Sequence, residues 1–212
     1  MIARLLAVAA SAAFIAQSAW SDARTEAFVE KNGGLVLEAL NDPDLDQAAR
    51  TEKFAGYMRD FSDLNRIARF VVGRYARGFT EEEFDRYAVV FEDYMLTSYE
   101  IQFDAYRGEE IVVNGSKDRD GRRLDSIVNT TIRRNGEPLE VEWRVQEGRQ
   151  GELQIIDVAL NLDGNKIWLA IESRAQLTSF LGRNNGSADA LIERLKELTA
   201  ELEASRETND EA

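Results

Sequence analysis

Apolar residues along this chain recur with a helical period, then with a period of two, then with a helical period again. Between Thr25 and Leu40 the apolar positions are Phe28, Val29, Leu35, Val36 and Leu40, and Asn41-Asp42-Pro43-Asp44 breaks the run. A second helix is predicted from about Leu45 to Asp60. Ser62 stands where an N-cap belongs. After it Leu64, Ile67, Ala68, Val71, Val72 and Tyr75 form a helical stripe, with Gly78 as its C-cap. Thr80-Glu81-Glu82-Glu83 reads as a capping box and opens a long helix to about Tyr106. That helix carries Phe84, Tyr87, Phe91, Tyr94, Met95, Tyr99, Phe103 and Tyr106, and Gly108 ends it.

From Glu110 the period is two. Leu139, Val141, Trp143 and Val145 alternate with Glu140, Glu142, Arg144 and Gln146, the pattern of a strand with one wet face. Three further strands are predicted at about 110–117, 123–134 and 152–162. Asp120-Gly121 and Asn135-Gly136 supply hairpin turns, so the expectation is a four-stranded antiparallel meander. After Asp163-Gly164 the helical period returns through Ile167, Leu169, Ala170, Leu177, Phe180 and Leu181. Ser187 then caps a last helix bearing Leu191, Leu195, Leu198 and Leu202. The stretch 205–212 is polar and predicts a disordered tail. Four helices, four strands and two helices make an α+β fold over residues 24–204, with helices covering one face of the sheet. A curved sheet closed in this way encloses a cone-like space, either filled or hollow.

The first residues read as an export signal. Arg4 supplies a positive start, and the uncharged run from Leu5 to Ile15 is shorter than the roughly 20 apolar residues that span a bilayer. Small residues follow at Ala16, Ser18, Ala19, Ser21 and Ala23, so cleavage is expected within 18–23. No Cys follows for a lipid anchor, and the mature part is expected to be soluble outside the cytoplasm.

Composition narrows the chemistry. The net charge is -13, which opposes nucleic acid as a partner and disfavours adhesion to an anionic membrane. There is no Cys and no His, which removes Ser-His-Asp and Cys-His catalysis, thiol redox work and zinc sites built on those residues. Carboxylates, Lys, Tyr and Ser remain. No nucleotide-binding loop motif occurs.

The run Tyr57-Met58-Arg59-Asp60-Phe61-Ser62-Asp63-Leu64-Asn65-Arg66-Ile67-Ala68-Arg69-Phe70-Val71-Val72-Gly73-Arg74-Tyr75 resembles the periplasmic MlaC-like, or toluene-tolerance, proteins. Their pattern sets an apolar residue, Ala-Arg-Phe, two apolar residues and Gly in one helix, which continues through an aromatic pair; here Tyr75 is present and Ala76 replaces its aromatic neighbour. Phe84 to Tyr99, Tyr106-Arg107-Gly108-Glu109 and Ile155-Ile156-Asp157-Val158 resemble later family segments in the same order, over about residues 25–203. Leu162-Asp163-Gly164 and Glu172-Ser173-Arg174 depart from the usual pattern, and the Leu-Asp-Gly form is closer to a hopanoid-associated branch.

The resemblance implies a nuclear-transport-factor-2-like shape with extra helices and a deep apolar pocket. It also implies a carrier of phospholipid, or of a hopanoid-type lipid. The implied partners are an inner-membrane ABC transporter with its substrate-binding-like membrane component and an outer-membrane lipoprotein complex, with no cofactor. Facing stripes then nominate Phe70, Val71, Tyr75, Phe91, Tyr94, Met95, Tyr99, Val113, Val128, Val141, Trp143 and Ile155 as pocket lining.

Asp157 is the notable carboxylate. Alternation places it on the same face as Ile155, where an apolar interior would demand a partner such as Arg69 or Arg74. The rival reading makes Asp157 a catalytic base in a ketosteroid isomerase-like pocket, with Tyr99 or Tyr106 aimed at a carbonyl.

Overall fold

A computed structural model of the chain describes residues 22–104, 110–119, 124–134, 137–148, 150–162 and 164–210. Residues 1–21 of the expected export signal, Tyr106, Gly108, the turns at Asp120-Gly121 and Asn135-Gly136, and Asp163 lie outside the described residues.

Aspartates start the first three helices. Asp22 caps α1 (Ala23–Asn41), Asp46 caps α2 (Gln47–Phe61) and Asp63 caps α3 (Leu64–Val72), each accepting from a backbone N–H two or three residues on. Asp63 therefore takes the place expected for Ser62. Ser62 instead makes a parallel bridge to Ile155 on the sheet. α3 also ends earlier than its apolar stripe. Gly73 turns the chain at φ 56° into a 3-10 helix, Gly73–Arg77, which Gly78 closes. The capping box forms as the sequence predicts: Thr80 N–H donates to Glu83 Oε2 at 2.7 Å, and Glu83 N–H donates to Thr80 Oγ1 at 3.1 Å. It opens α4 (Glu81–Asp104).

The sheet has five antiparallel strands in chain order, not four: β1 (Glu110–Asp118), β2 (Asp125–Arg134), β3 (Glu137–Glu147), β4 (Leu153–Leu162) and β5 (Asn165–Trp168). Period alone groups Ile167 with the following helix. In the fold, Gly164 at φ 80° lets the chain reverse, and Ile167 pairs with Leu160. α5 (Leu169–Arg183) starts directly after β5.

α6 (Ala188–Asp210) runs through positions 205–210, where composition predicts a disordered tail. Tertiary contact overrides polar composition there. Ser205 Oγ donates to the Glu201 carbonyl at 2.8 Å, and Arg206 Nη1 lies 3.5 Å from Glu100 Oε2 on α4. Glu100 is only 2 % exposed, and it accepts from Gln47 Nε2 and Thr51 Oγ1, each at 2.6 Å. This carboxylate therefore ties α2, α4 and α6 together.

One face of the sheet carries Val128, Ile132, Leu139, Val141, Trp143, Val145, Val158 and Leu160, all buried. α1 and α2 pack over it. The aromatic stripe of α4 joins a second part of the core, between α3 and α6. There Tyr87 is fully buried, donates to the Ala68 carbonyl at 3.1 Å and meets Phe79, Phe84 and Phe91 ring to ring. Leu191 and Leu195 of α6 are fully buried, so these leucines serve their own domain.

Candidate functional site

α1, α2 and α4 meet the covered face of the sheet at an apolar cavity. Asn32, Gly33 and Val36 come from α1, Met58 and Phe61 from α2, and Tyr99 from α4; Trp143, Ile155 and Val158 close it from the strands. Gly33 sets the approach of α1 to the sheet. A Cβ there would stand 2.7 Å from Ile111 Cδ1 and 3.9 Å from Trp143 Cζ2. The wall on α2 is stiffened by stacking of Tyr57 on Phe61, with ring centroids 5.6 Å apart, and by the edge of Phe28 against Phe61. The indole N–H of Trp143 is satisfied by Thr130 Oγ1 at 2.8 Å, so the ring presents carbon to the cavity without an orphaned donor. Burial pushes the Tyr99 hydroxyl far above its ordinary range, and the nearby Asp157 and Tyr94 add to the shift. The cavity is nearly shut: its free volume is about 20 Å3, room for about one water.

Of the twelve positions nominated for the lining, Tyr99, Trp143 and Ile155 are at this cavity. Val113, Val128 and Val141 sit elsewhere on the sheet. Val71, Phe91 and Met95 are plain core, and Tyr94 packs against that core half-buried. Tyr75 lies against Gly182 of α5 and Gly186 just beyond it, and Phe70 is exposed. The sequence pattern does not nominate the wall contributed by α1 and α2. Its nearest signal is Gly33 in the middle of α1, although Gly34 and Gly56 stand in the same two helices and a Cβ at either would meet nothing within 4 Å.

Asp157 does not share a face with Ile155. A β-bulge lies where Arg144 pairs with Asp157 while Val145 pairs with Ile155, leaving Ile156 as the extra residue. The alternation shifts there by one. Ile155 and Val158 look into the cavity, and Asp157 points with Arg144 to the other face. There it borders a shallow recess with Arg66, Ile67, Phe70 and Ile156.

The expected pair with Arg69 or Arg74 does not form. Arg69 lies 3.8 Å over the Phe84 ring, and Arg74 lies over Tyr75. Asp157 Oδ1 instead accepts the backbone N–H of Val158 and of Ala170, both at 2.9 Å. It thereby caps the start of α5, where the neighbouring Trp168 offers no capping group. Burial raises the Asp157 carboxyl above its ordinary range; the two N–H bonds and the positive Arg144 pull it back only in part. Arg144 itself is held in a fork by Asp125, with Nε to Oδ1 at 2.9 Å and Nη2 to Oδ2 at 2.8 Å.

No group of three or more metal-ligating side chains gathers among the described residues. No helix among them is long and apolar enough to cross a membrane.

Fold and cavity together define the class: an α+β protein whose helices close one face of an antiparallel sheet over an apolar cavity. Within that class, the chain belongs to the MlaC family, whose model, described as MlaC protein, matches residues 30–197. A phospholipid-binding protein from Ralstonia solanacearum, solved in complex with a phospholipid, has a similar fold. The TM-score is 0.71 at 22% identity, over 84% of this chain and 97% of that one. No match was found among curated proteins.

Proposed function

We propose that this chain is an exported lipid carrier. It encloses acyl chains in the cavity between α1, α2, α4 and the sheet, and shuttles phospholipid through the periplasm between outer-membrane and inner-membrane transport complexes. The observation that carries this reading is the apolar cavity in a chain of the MlaC family. The phospholipid bound by the similarly folded Ralstonia protein supports phospholipid as the cargo. A hopanoid-type lipid is the second candidate, favoured by the Leu162-Asp163-Gly164 sequence.

The energetics set what the carrier must do. Each CH₂ left in water costs about 0.8 kcal/mol, so a chain of some 15 carbons represents roughly 12 kcal/mol of exposure. A cavity of about 20 Å3 cannot take it, so loading requires α1 and α2 to part from the sheet. The acyl chains then fill the space between the parted walls and keep both of them dry. Passage from bilayer to cavity is apolar to apolar and nearly balanced, so direction has to come from the partners.

Catalysis by Asp157 is the weaker reading. Its Oδ1 already accepts two N–H groups, and it looks away from the cavity.

Mass spectrometry of lipid extracted from the purified protein tests the proposal. Stoichiometric diacyl phospholipid is expected. A protein that emerges empty and takes up no lipid from vesicles would sink the carrier reading, and hopanoid in place of phospholipid would reassign the cargo.

A further inference from the structure

Although the chain has 39 Asp and Glu against 26 Lys and Arg, several described arginines, Arg66, Arg69 and Arg183 among them, have no carboxylate within salt-bridge distance. Arg74 and Arg174 are two, side by side, with no carboxylate partner among the described residues. Each is fixed by an aromatic ring and a neutral oxygen instead. Arg74 lies 5.0 Å over the Tyr75 ring and donates to Tyr75 Oη at 3.0 Å. Arg174 lies 4.7 Å over the Phe70 ring and donates to the Phe70 carbonyl at 3.0 Å. Gly73 makes the second arrangement possible, because a Cβ there would stand 3.1 Å from Arg174 Nη2.

A guanidinium offers five N–H donors, so most remain unspent, on side chains whose freedom is already restricted. Both border a recess of about 350 Å3 with Tyr75, Ala175, Thr178 and Ser179, and no acid lines it. Glu172, on α5 near Arg174, is occupied by Gln176. On the same pair of helices stand two exposed apolar side chains, Phe70 at 40 % and Ile171 at 49 %.

We propose that this face, built by α3, the 3-10 helix and α5, docks on a bilayer. Arg74 and Arg174 take phosphodiester groups of anionic phospholipid headgroups, and Phe70 and Ile171 enter the interface. Phosphate oxygens match the guanidinium fork. Apolar side chains beside the cations suit a surface graded from phosphate to hydrocarbon, which a free phosphate ion would not need. The net charge of -13 opposes adhesion of the molecule as a whole. At physiological salt, however, the Debye length is about 8 Å, so acids on the far faces are screened while this face meets the membrane locally. The site is separate from the cavity and stands without the carrier reading.

Co-sedimentation with vesicles of 3:1 phosphatidylethanolamine to phosphatidylglycerol tests it, with phosphatidylcholine vesicles as the neutral control. The wild type is expected to pellet with the anionic vesicles at low salt and to be released by high salt. Arg74→Glu with Arg174→Glu is expected to weaken binding about 10-fold or more. Phe70→Ser with Ile171→Ser is expected to weaken it while keeping the salt dependence. Arg74→Gln with Arg174→Gln, checked by its melting curve, guards against misfolding as the cause. Absence of wild-type binding, or equal binding by the charge-reversed protein, overturns the proposal. So does binding of inorganic phosphate through the same arginines with no affinity for vesicles, or arginine-dependent binding to an acidic partner protein with bare vesicles ignored. Bound lipid is measured on the same samples. Lipid-loaded protein that ignores vesicles defeats docking alone, and protein that pellets but is empty and takes up no lipid from the vesicles defeats the carrier alone.

Discussion

At the scale of the residue, Asp157 shows how far a one-dimensional pattern reaches. Its burial and its need of a partner are legible, because a carboxylate between Ile156 and Val158 is out of place in an apolar strand. Its partner is not, because a single extra residue at Ile156 reverses the facing and no local signal announces a bulge. The consequence is measurable. Asp157→Ala is expected to cost about 1–2 kcal/mol in urea unfolding, through loss of the α5 cap. Asp157→Asn, which keeps an oxygen for both N–H groups, is expected to stay within about 0.5 kcal/mol at neutral pH. The pH dependence separates two carboxylates. Asp157 has a raised folded pKa, so the stability associated with its protonated form is complete below the ordinary Asp range and is lost as pH rises through the folded value. Asp125 runs the other way. Burial alone would raise it, but the hydrogen bonds and charge of Arg144, with help from Gln146 and Arg119, more than offset that and lower it. Its stabilisation is present above the ordinary Asp range and is lost as pH falls through the folded value. Stability measured against pH is therefore expected to flatten on opposite sides in Asp157→Asn and Asp125→Asn; profiles parallel to the wild type would refute both assignments.

At the scale of the element, long periodic segments and the Thr80 capping box can be read from the sequence, whereas edges cannot. The fifth strand is four residues long, too short for its period to compete with the helix that follows. The wall of the cavity on α1 and α2 is hidden for another reason: their apolar stripes look like any core-facing stripe, and Gly33, which marks the close approach to the sheet, stands in the same two helices as Gly34 and Gly56, which do not. The last turns of α6 read as tail because composition cannot see Arg206 reaching the buried Glu100. Truncation after position 204 is expected to destabilise the fold by about 1–3 kcal/mol, since it leaves a buried carboxylate without its cation. Glu100→Gln in the truncated chain should restore part of that loss, and chemical denaturation of the four combinations provides the check.

At the scale of the whole molecule, the class of fold is evident from the order of helices and strands, and the family from residues spread over most of the chain. The state of the cavity is not, since no sequence pattern distinguishes a closed apolar space from an open one. A carrier whose walls close on each other when empty should be stabilised by its cargo through mass action, by about 2.7 kcal/mol at a hundredfold excess over the dissociation constant. Protein stripped of lipid is accordingly expected to melt several degrees lower and to recover on incubation with phospholipid vesicles. An unchanged melting temperature would count against cargo binding in this cavity.

The strands lie side by side in the order in which they occur along the chain. That neighbour-to-neighbour order has a kinetic meaning. Each hairpin can close across a short connection without waiting for a distant segment, so assembly of the sheet is set by local loop closures. The late events should be those that join remote parts of the chain: α1 settling on β1, and α6 docking along α4. Substitutions at buried α6 positions such as Leu191 and Leu195 should then mainly speed unfolding, whereas those at the β2–β3 pairing should slow folding.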